Sequence, residues 1–595
     1  MSLPTFQTLG AIPPPTTQAQ SVAEDWLSAF SSAIDRNNVP AVLSLFIDDA
    51  WWRDLLSLTW DFRSFHGANE IGKFLEDRLS LSQLSSIKLS SPAPLLVTPD
   101  LDLGWVQALF TFETGVGFGT AVVRIVYLET GEWKAWALCT ILEDLKCDRP
   151  EIDFNYPERV EYASMREREE QFLDADPTVI IVGAGQAGLG LAARLKAVGV
   201  SSLIVERNDR VGDQWRKDRY ASLRLHAPVW RDHLPFFPFP EPPLWPVFTP
   251  GVKLGDFLEA YAKHLDLNVW TSTTIQDPQW EASSKTWTVT IPHEGKARIM
   301  KTRHIVWAIG LDGGVANMPK IDGMDTFQGN IVHSSQYSVP EPYKGKKVVV
   351  IGAGVSAHDI CMDLARQGTD VTMIQRSSTY IMSVKNAIPA MNKQLYWKGS
   401  PPNEVSDVLS NSLPLKLVQQ MSVRTTARIA EMDKHLLDGL HRVGFKTNMG
   451  LEDAGVFRLV LKRGGGWYTD VGASQLLISG RIKLHTSAIS HLTPQGMVFA
   501  DGTSLPADVI ICATGYGRMS STLAPVFGEE FARGLGEVWD WDAEGEINSV
   551  WRGSGREGFY TATNNLPGCR FWSKFLALQI KAMEAGLFGP RYSRS

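Results

Sequence analysis

A chain of 595 residues exceeds what one hydrophobic core holds and predicts three or four domains at roughly 150 residues each. With 44% hydrophobic residues, 21% charged residues and a net charge of -7, it has the composition of an ordinary globular protein, and with no long lysine or arginine run it excludes nucleic acid and anionic membrane as expected partners. The scattered cysteines, never spaced C-x-x-C, argue against a disulfide framework, a zinc site or a redox dithiol and point to a reducing, cytoplasmic setting. No apolar run reaches about 18 residues, so no membrane span is expected. The opening MSLPTFQTLGAIPPPTTQAQ lacks a basic n-region and an apolar h-region, and residues 1–20 read as a disordered tail rather than a signal peptide.

Next, Val22, Trp26, Phe30 and Ile34 recur at helical spacing, followed after a turn by Val42, Leu45 and Phe46, which predicts a helix pair. LGWVQALFTFET, GFGTAVVRIVYLE and EWKAWALCTILEDL alternate as antiparallel strands do. Residues 21–150 therefore predict helices with a curved sheet. This order, with the WWRD…TWDFRSFHG run, resembles the NTF2-like family of cone-shaped α+β domains. That resemblance implies either an Asp54/His66 catalytic pocket or a domain used for docking, with a homo-oligomer formed through it as the expected assembly. The charged stretch over 151–175 reads as a partly helical linker.

Beyond it, β-branched strands alternate with helices, an α/β pattern with parallel sheets. TVIIVGAGQAGLGLAARLKAVGVSSLIVER is a strand, a G-x-G-x-x-G turn, a helix and a second strand. Gly183 suits the tight turn, Gly185 the approach of a pyrophosphate and Gly188 close helix–strand packing, while the helix N-terminus favours the anion. The unit recurs with Gly352, Gly354 and Ala357. Glu206 follows Gly183, with Arg207 beside it, at the offset at which Gln375 follows Gly352, with Arg376 and Ser377 beside it. A carboxylate suits two ribose hydroxyls but repels a 2′-phosphate by roughly 4 kcal/mol at ~4 Å and an effective dielectric of ~20. Arginine reverses that sign. The first site is therefore read as an FAD site and the second as an NADPH site, the second presenting a neutral amide at Gln375.

Between them, FQGNIVHSSQY places Phe327, Gly329, His333 and Tyr337 in the F-x-G-x-x-x-H-x-x-x-[YF] fingerprint, by which the chain is identified as similar to the flavin-containing monooxygenases. GDQWRKDRY (Gln214, Trp215), ICATGYG (Thr514, Gly515) and the closing NNLPGCRFWSKFLALQIKA extend the resemblance over about residues 175 to 590. It implies an FAD domain in two parts, 176–340 and 495–595, interrupted by an NADPH domain at 341–494. His333 and Tyr337 are implied on the NADPH side and Thr514 and Gly515 at the flavin. It further implies that NADPH reduces FAD, that O2 adds to give a C4a-hydroperoxyflavin, and that a small organic substrate takes one oxygen atom. No triad or metal-ligand cluster is called for.

Baeyer–Villiger relatives end the fingerprint in tryptophan, so Tyr337 favours N- or S-oxygenation or oxidative decarboxylation. Baeyer–Villiger oxidation and an NADPH-dependent reductase or oxidase stay as alternatives. SLRLHAPVW resembles the YUCCA-type L-x-L-H form, which places His226 beside the flavin, holding the hydroperoxide or orienting the ring. The aromatic, proline-rich stretch from Leu223 to Pro250 either lines a substrate pocket or packs on the FAD domain, and residues 390–445 read as an insertion of helices.

Overall fold

The computed structural model describes residues 3–148, 161–310 and 313–593. The N-terminal domain is a six-stranded sheet in the order Phe62–His66, Phe46–Leu55, Trp133–Leu145, Gly117–Tyr127, Leu103–Glu113 and Ser85–Asp100. Only the pairing of Phe46–Leu55 with Trp133–Leu145 is parallel within it. Alternation along the strands sends Phe46, Trp52, Phe110 and Val123 to one face, where the helices Ala19–Asp35 and Gly67–Ser82 cover them. The other face is apolar as well: Leu55, Phe62, Val122 and Ile141 belong to one core with residues of the later α/β part. A sheet apolar on both faces must be covered on both.

Residues 3–18 are not a free tail. Leu3 is buried against Trp51 and Trp105, and the Phe6 amide donates to the Asp102 carbonyl at 2.8 Å. Apolar side chains at positions 3 and 6 give this proline-rich segment something to bury. Of the expected linker, residues 151–160 lie outside the described residues, and Tyr162–Glu170 forms an exposed helix.

Two parallel five-stranded sheets follow. The first runs in the order Phe559–Thr561, His304–Trp307, Val179–Val182, Ser202–Val205, Val269–Trp270. The second runs Asn330–His333, Val509–Cys512, Lys347–Ile351, Asp370–Ile374, Lys483–His485. Strand Val509–Cys512 thus lies in the second sheet, although the sequence reading placed it in the returning FAD domain, and the second unit spans 330–512 rather than 341–494. A short apolar strand is compatible with either parallel sheet, and backbone pairing with Val348–Ile351 decides. Helices Val384–Asn392, Asn403–Asn411, Leu415–Met432 and Lys434–Arg442 form the expected insertion. Helix Leu566–Glu584, capped by the Asn565 side chain with proline in its first turn, packs its buried length on the first sheet's glycine-loop helix Gln186–Ala197.

Buried ion pairs fasten the N-terminal domain to this α/β body. Arg53, fully buried, donates through Nε and Nη2 to the two carboxylate oxygens of Glu546 at 2.8 and 2.5 Å, and through Nη1 to the Asn411 and Leu413 carbonyls. Arg63 makes the same fork with Glu544, and Arg124 donates to Ser412 Oγ at 2.9 Å. This face of the sheet is therefore occupied by the same chain and is not open to a second copy. No helix among the described residues is long and apolar enough to cross a membrane.

Candidate active site

The two glycine loops are built alike. Gly183 and Gly352 have φ of +108° and +132°, and a Cβ there would stand 2.7 and 2.4 Å from the carbonyl oxygens of Ala308 and Ala513. Both positions exclude a side chain twice over, by conformation and by space. At Gly185, by contrast, the nearest atom to an added Cβ is Gln214 Nε2 at 3.6 Å, and at Gly354 it is the Trp467 carbonyl at 3.9 Å. These are open cradles in front of helix N-termini, shaped for a phosphate.

The residues around the first cradle fit a polar ligand that carries ribose hydroxyls. Both amide atoms of Gln214 and the indole nitrogen of Trp215 are buried with no partner among the described residues. Buried polar groups are paired in finished sites, so a polar ligand completes this one. Glu206, 6% exposed, accepts from the Ala184 and Asn208 amides at 2.8 and 2.9 Å, which fixes its carboxylate and leaves lone pairs for ribose hydroxyls. Arg207 is exposed at the same strand end.

The second strand end differs from the sequence reading. Gln375 offers nothing to a nucleotide: it is fully buried, its Nε2 donates to the Lys446 carbonyl at 2.8 Å and its Oε1 accepts from the Lys446 amide at 2.8 Å. Arg376 and Ser377 are exposed, without an ion-pair partner among the described residues, and line a cavity of about 1910 Å³ together with Gly352 and Gly354. Ala357 is buried in the helix behind the loop.

Thr514, Gly515, Trp215 and His226 line the same cavity, as do the apolar side chains of Phe457, Leu461, Trp539 and Trp572. His226 faces it with its pKa lowered by burial, so it serves as a neutral imidazole. The fingerprint residues sit behind the wall. His333 is 2% exposed, donates from Nε2 to the Gly515 carbonyl at 2.9 Å and accepts at Nδ1 from the Ser335 amide, which assigns the tautomer. Tyr337 is 1% exposed and donates to Asp363 Oδ2 at 2.9 Å. Neither residue lines the cavity: His333 holds the Gly515 loop and Tyr337 the helix Val355–Arg366 in place. Burial and local hydrogen bonds claimed them.

Asp359, on that helix, was not singled out from the sequence. It lines the cavity, 7% exposed, accepts from the Tyr220 hydroxyl at 2.6 Å and leaves Oδ1 without a partner; burial pushes its pKa up to about 6. Trp539 was missed too, and Trp572 stood in the closing motif without an expected role, because no local pattern marks a wall assembled from distant segments. The loop after His226 divides: Leu223–Ala227 line the cavity, while Phe239 and Trp245 stack at 4.6 Å over helix Gly251–His264. In the N-terminal domain, Asp54 and His66 form no pocket. Asp54 is fully buried, accepting from Thr59, Thr140 and the Leu58 amide, with its pKa pushed up to about 6 by burial, and His66 pairs with Asp49.

Two parallel sheets, each ending in a glycine cradle before a helix N-terminus, form the frame of a flavoprotein with two dinucleotide-binding units. The family model described as "Flavin-binding monooxygenase-like" matches residues 176–525, more than half of the chain, and the protein belongs to that family. It is an NADPH- and O2-dependent monooxygenase with FAD as its flavin. The chain is 29% identical over 400 residues to indole-3-pyruvate monooxygenase YUCCA1 of Oryza sativa subsp. japonica, covering 67% of this chain and 88% of that relative. It is 30% identical over 342 residues to probable indole-3-pyruvate monooxygenase YUCCA1 of Arabidopsis thaliana, covering 57% and 75%. Among solved structures it is similar to a flavin-containing monooxygenase from Stenotrophomonas maltophilia, with a TM-score of 0.47, 18% identity and coverage of 69% of this chain and 99% of that one.

Proposed function

We propose that this monooxygenase acts on an apolar, aromatic 2-oxo acid by oxidative decarboxylation. The substrate, O2, NADPH and a proton give the acid shortened by one carbon, CO2, water and NADP⁺. The observation that carries the reading is that the second glycine loop, His226 and the aromatic side chains of Phe457, Trp539 and Trp572 line one cavity, in which a nicotinamide and an apolar substrate can meet. The names of the relatives, at 29 to 30% identity, support the reaction class.

When bound, FAD supplies the redox and oxygen-transfer chemistry. The chain's part is to hold and orient. Gly183, Gly185 and Gly188 cradle the FAD pyrophosphate, Glu206 takes the ribose, Arg207 flanks it, and Gln214 and Trp215 meet the cofactor with polar atoms that otherwise lack partners. Gly352 and Gly354 cradle the NADPH pyrophosphate, and Arg376 and Ser377 take the 2′-phosphate. Thr514 and Gly515 border the flavin, and Trp539 and Trp572 keep water from the cavity. The N-terminal domain, which we assign to the NTF2-like class, serves as a fixed wall: Pro99 and Asp100 reach the cavity, where Asp100 pairs with Arg424 and Arg428. Five unpaired cysteines suit work in the cytoplasm.

The test is to incubate the purified protein with NADPH, oxygen and indole-3-pyruvate and to follow CO2, the shortened acid and hydrogen peroxide. Coupled formation of acid and CO2 is expected. NADPH oxidation with stoichiometric peroxide and no acid would sink the reading.

A further inference from the structure

One cation in the cavity wall, Arg231, has a hydrogen-bonding edge that no described residue fills. The Arg231 carbonyl accepts from Arg570 Nη1 at 2.8 Å, and Arg570 is itself held by Asp407 through two bonds of 2.7 Å in a buried pair. The Arg231 guanidinium lies 5.4 Å from the Tyr396 ring centre, and its Nη1 donates to Asn392 Oδ1 at 3.2 Å. Asn392, 2% exposed, is in turn fixed by its Nδ2 donating to the Ile388 carbonyl at 2.9 Å. One edge of the guanidinium is thus anchored.

The opposite edge is not. Nε is buried without an acceptor, and no carboxylate among the described residues lies within 4.0 Å of the guanidinium, Asp232 included. Arg231, Asn392 and His226 face the same cavity as Phe457, Trp539 and Trp572. The buried Asp232 feels the charge of Arg231 through space but makes no ion pair with it, so the unfilled edge is open to an anionic ligand. The Nε–Nη2 edge of arginine presents two parallel N–H donors, which match the two oxygens of a carboxylate.

We propose that the Nε–Nη2 edge of Arg231 binds the substrate's carboxylate and makes this enzyme select apolar acids over their neutral counterparts. The assignment rests on the 2-oxo acid reading above and names the residue that enforces it.

The experiment compares binding of indole-3-acetate and indole-3-acetamide to the FAD-loaded enzyme, followed by perturbation of the flavin spectrum, in the wild type, Arg231→Gln and Arg231→Lys. The wild type is expected to prefer the acid. Arg231→Gln should lose that preference through acid binding weaker by on the order of 100-fold, with amide binding little changed, and Arg231→Lys should recover part of it. Flavin content and thermal midpoint report whether each variant is folded, and Arg231→Lys keeps the test informative if the glutamine variant is not. A wild-type preference that survives both substitutions overturns Arg231 and leaves the acid substrate standing. A wild type without preference overturns both.

Discussion

The two glycine loops share one backbone design and diverge at the strand end. In the first, Glu206 points its carboxylate at the loop and toward the ligand's side, tied by the Ala184 and Asn208 amides. In the second, the residue at the same offset turns away. Gln375 stitches its strand end to the Lys446 backbone, and the next two residues, Arg376 and Ser377, line the cavity. Matching position is therefore not matching environment: the acid of the first copy is tied to its own glycine loop, whereas the amide of the second is tied to the Lys446 backbone.

The harshest way to break the comparison is Gly185→Val. Its φ of -80° suits any residue and no atom crowds the new Cβ, so the fold should persist while the side chain fills the phosphate cradle. FAD retention should fall by more than about a thousandfold, the loss of several charge-assisted bonds, as read from flavin content after gel filtration beside an unchanged circular dichroism spectrum. Arg376→Ala comes next. Losing its bonds to a 2′-phosphate, worth about 1.5–3 kcal/mol, should raise the KM for NADPH roughly 10- to 100-fold and leave NADH use nearly unchanged. Equal losses for both nucleotides would remove Arg376 from the phosphate site.

Gln375→Glu sharpens the contrast. A carboxylate cannot donate to the Lys446 carbonyl, so the variant should lose about 1–3 kcal/mol of stability, seen as a lower thermal midpoint, without gaining NADH preference. A switch to NADH would show that position 375 reads the ribose after all. The smallest effect concerns Asp359, at whose offset the first copy has Gly190. Its pKa is raised to about 6, so keeping it ionised costs stability above that pH, and the cost fades as pH falls toward the usual carboxylate range. Asp359→Asn, which keeps an acceptor for Tyr220, should stabilise the protein by about 1–3 kcal/mol at pH 8 and by almost nothing at pH 4. A stability difference independent of pH would count against a buried, ionisable Asp359.

The glycine cradles were legible because they are local. A turn of positive φ between strand and helix needs glycine wherever it stands, and Glu206 follows within one β-α-β unit. The fingerprint was legible as a pattern, but nothing in the spacing of His333 and Tyr337 says that Gly515 and Asp363 take their hydrogen bonds. The apolar alternation of the N-terminal strands told of a sheet but not of what lies on its second face.

By itself, then, the sequence determined two dinucleotide cradles of opposite strand-end charge, a helix-and-sheet domain ahead of them and the flavin monooxygenase class, because each rests on residues close in the chain or on motifs in fixed order. Tertiary structure alone decided that Val509–Cys512 joins the second sheet, that Gln375 pairs with residue 446, that Arg53 anchors to Glu546, and that Asp100, Arg231, Trp539 and Trp572 share one cavity. These are meetings across tens to hundreds of residues, settled by which buried charges and apolar faces find partners when the whole chain packs, and no local pattern carries that information.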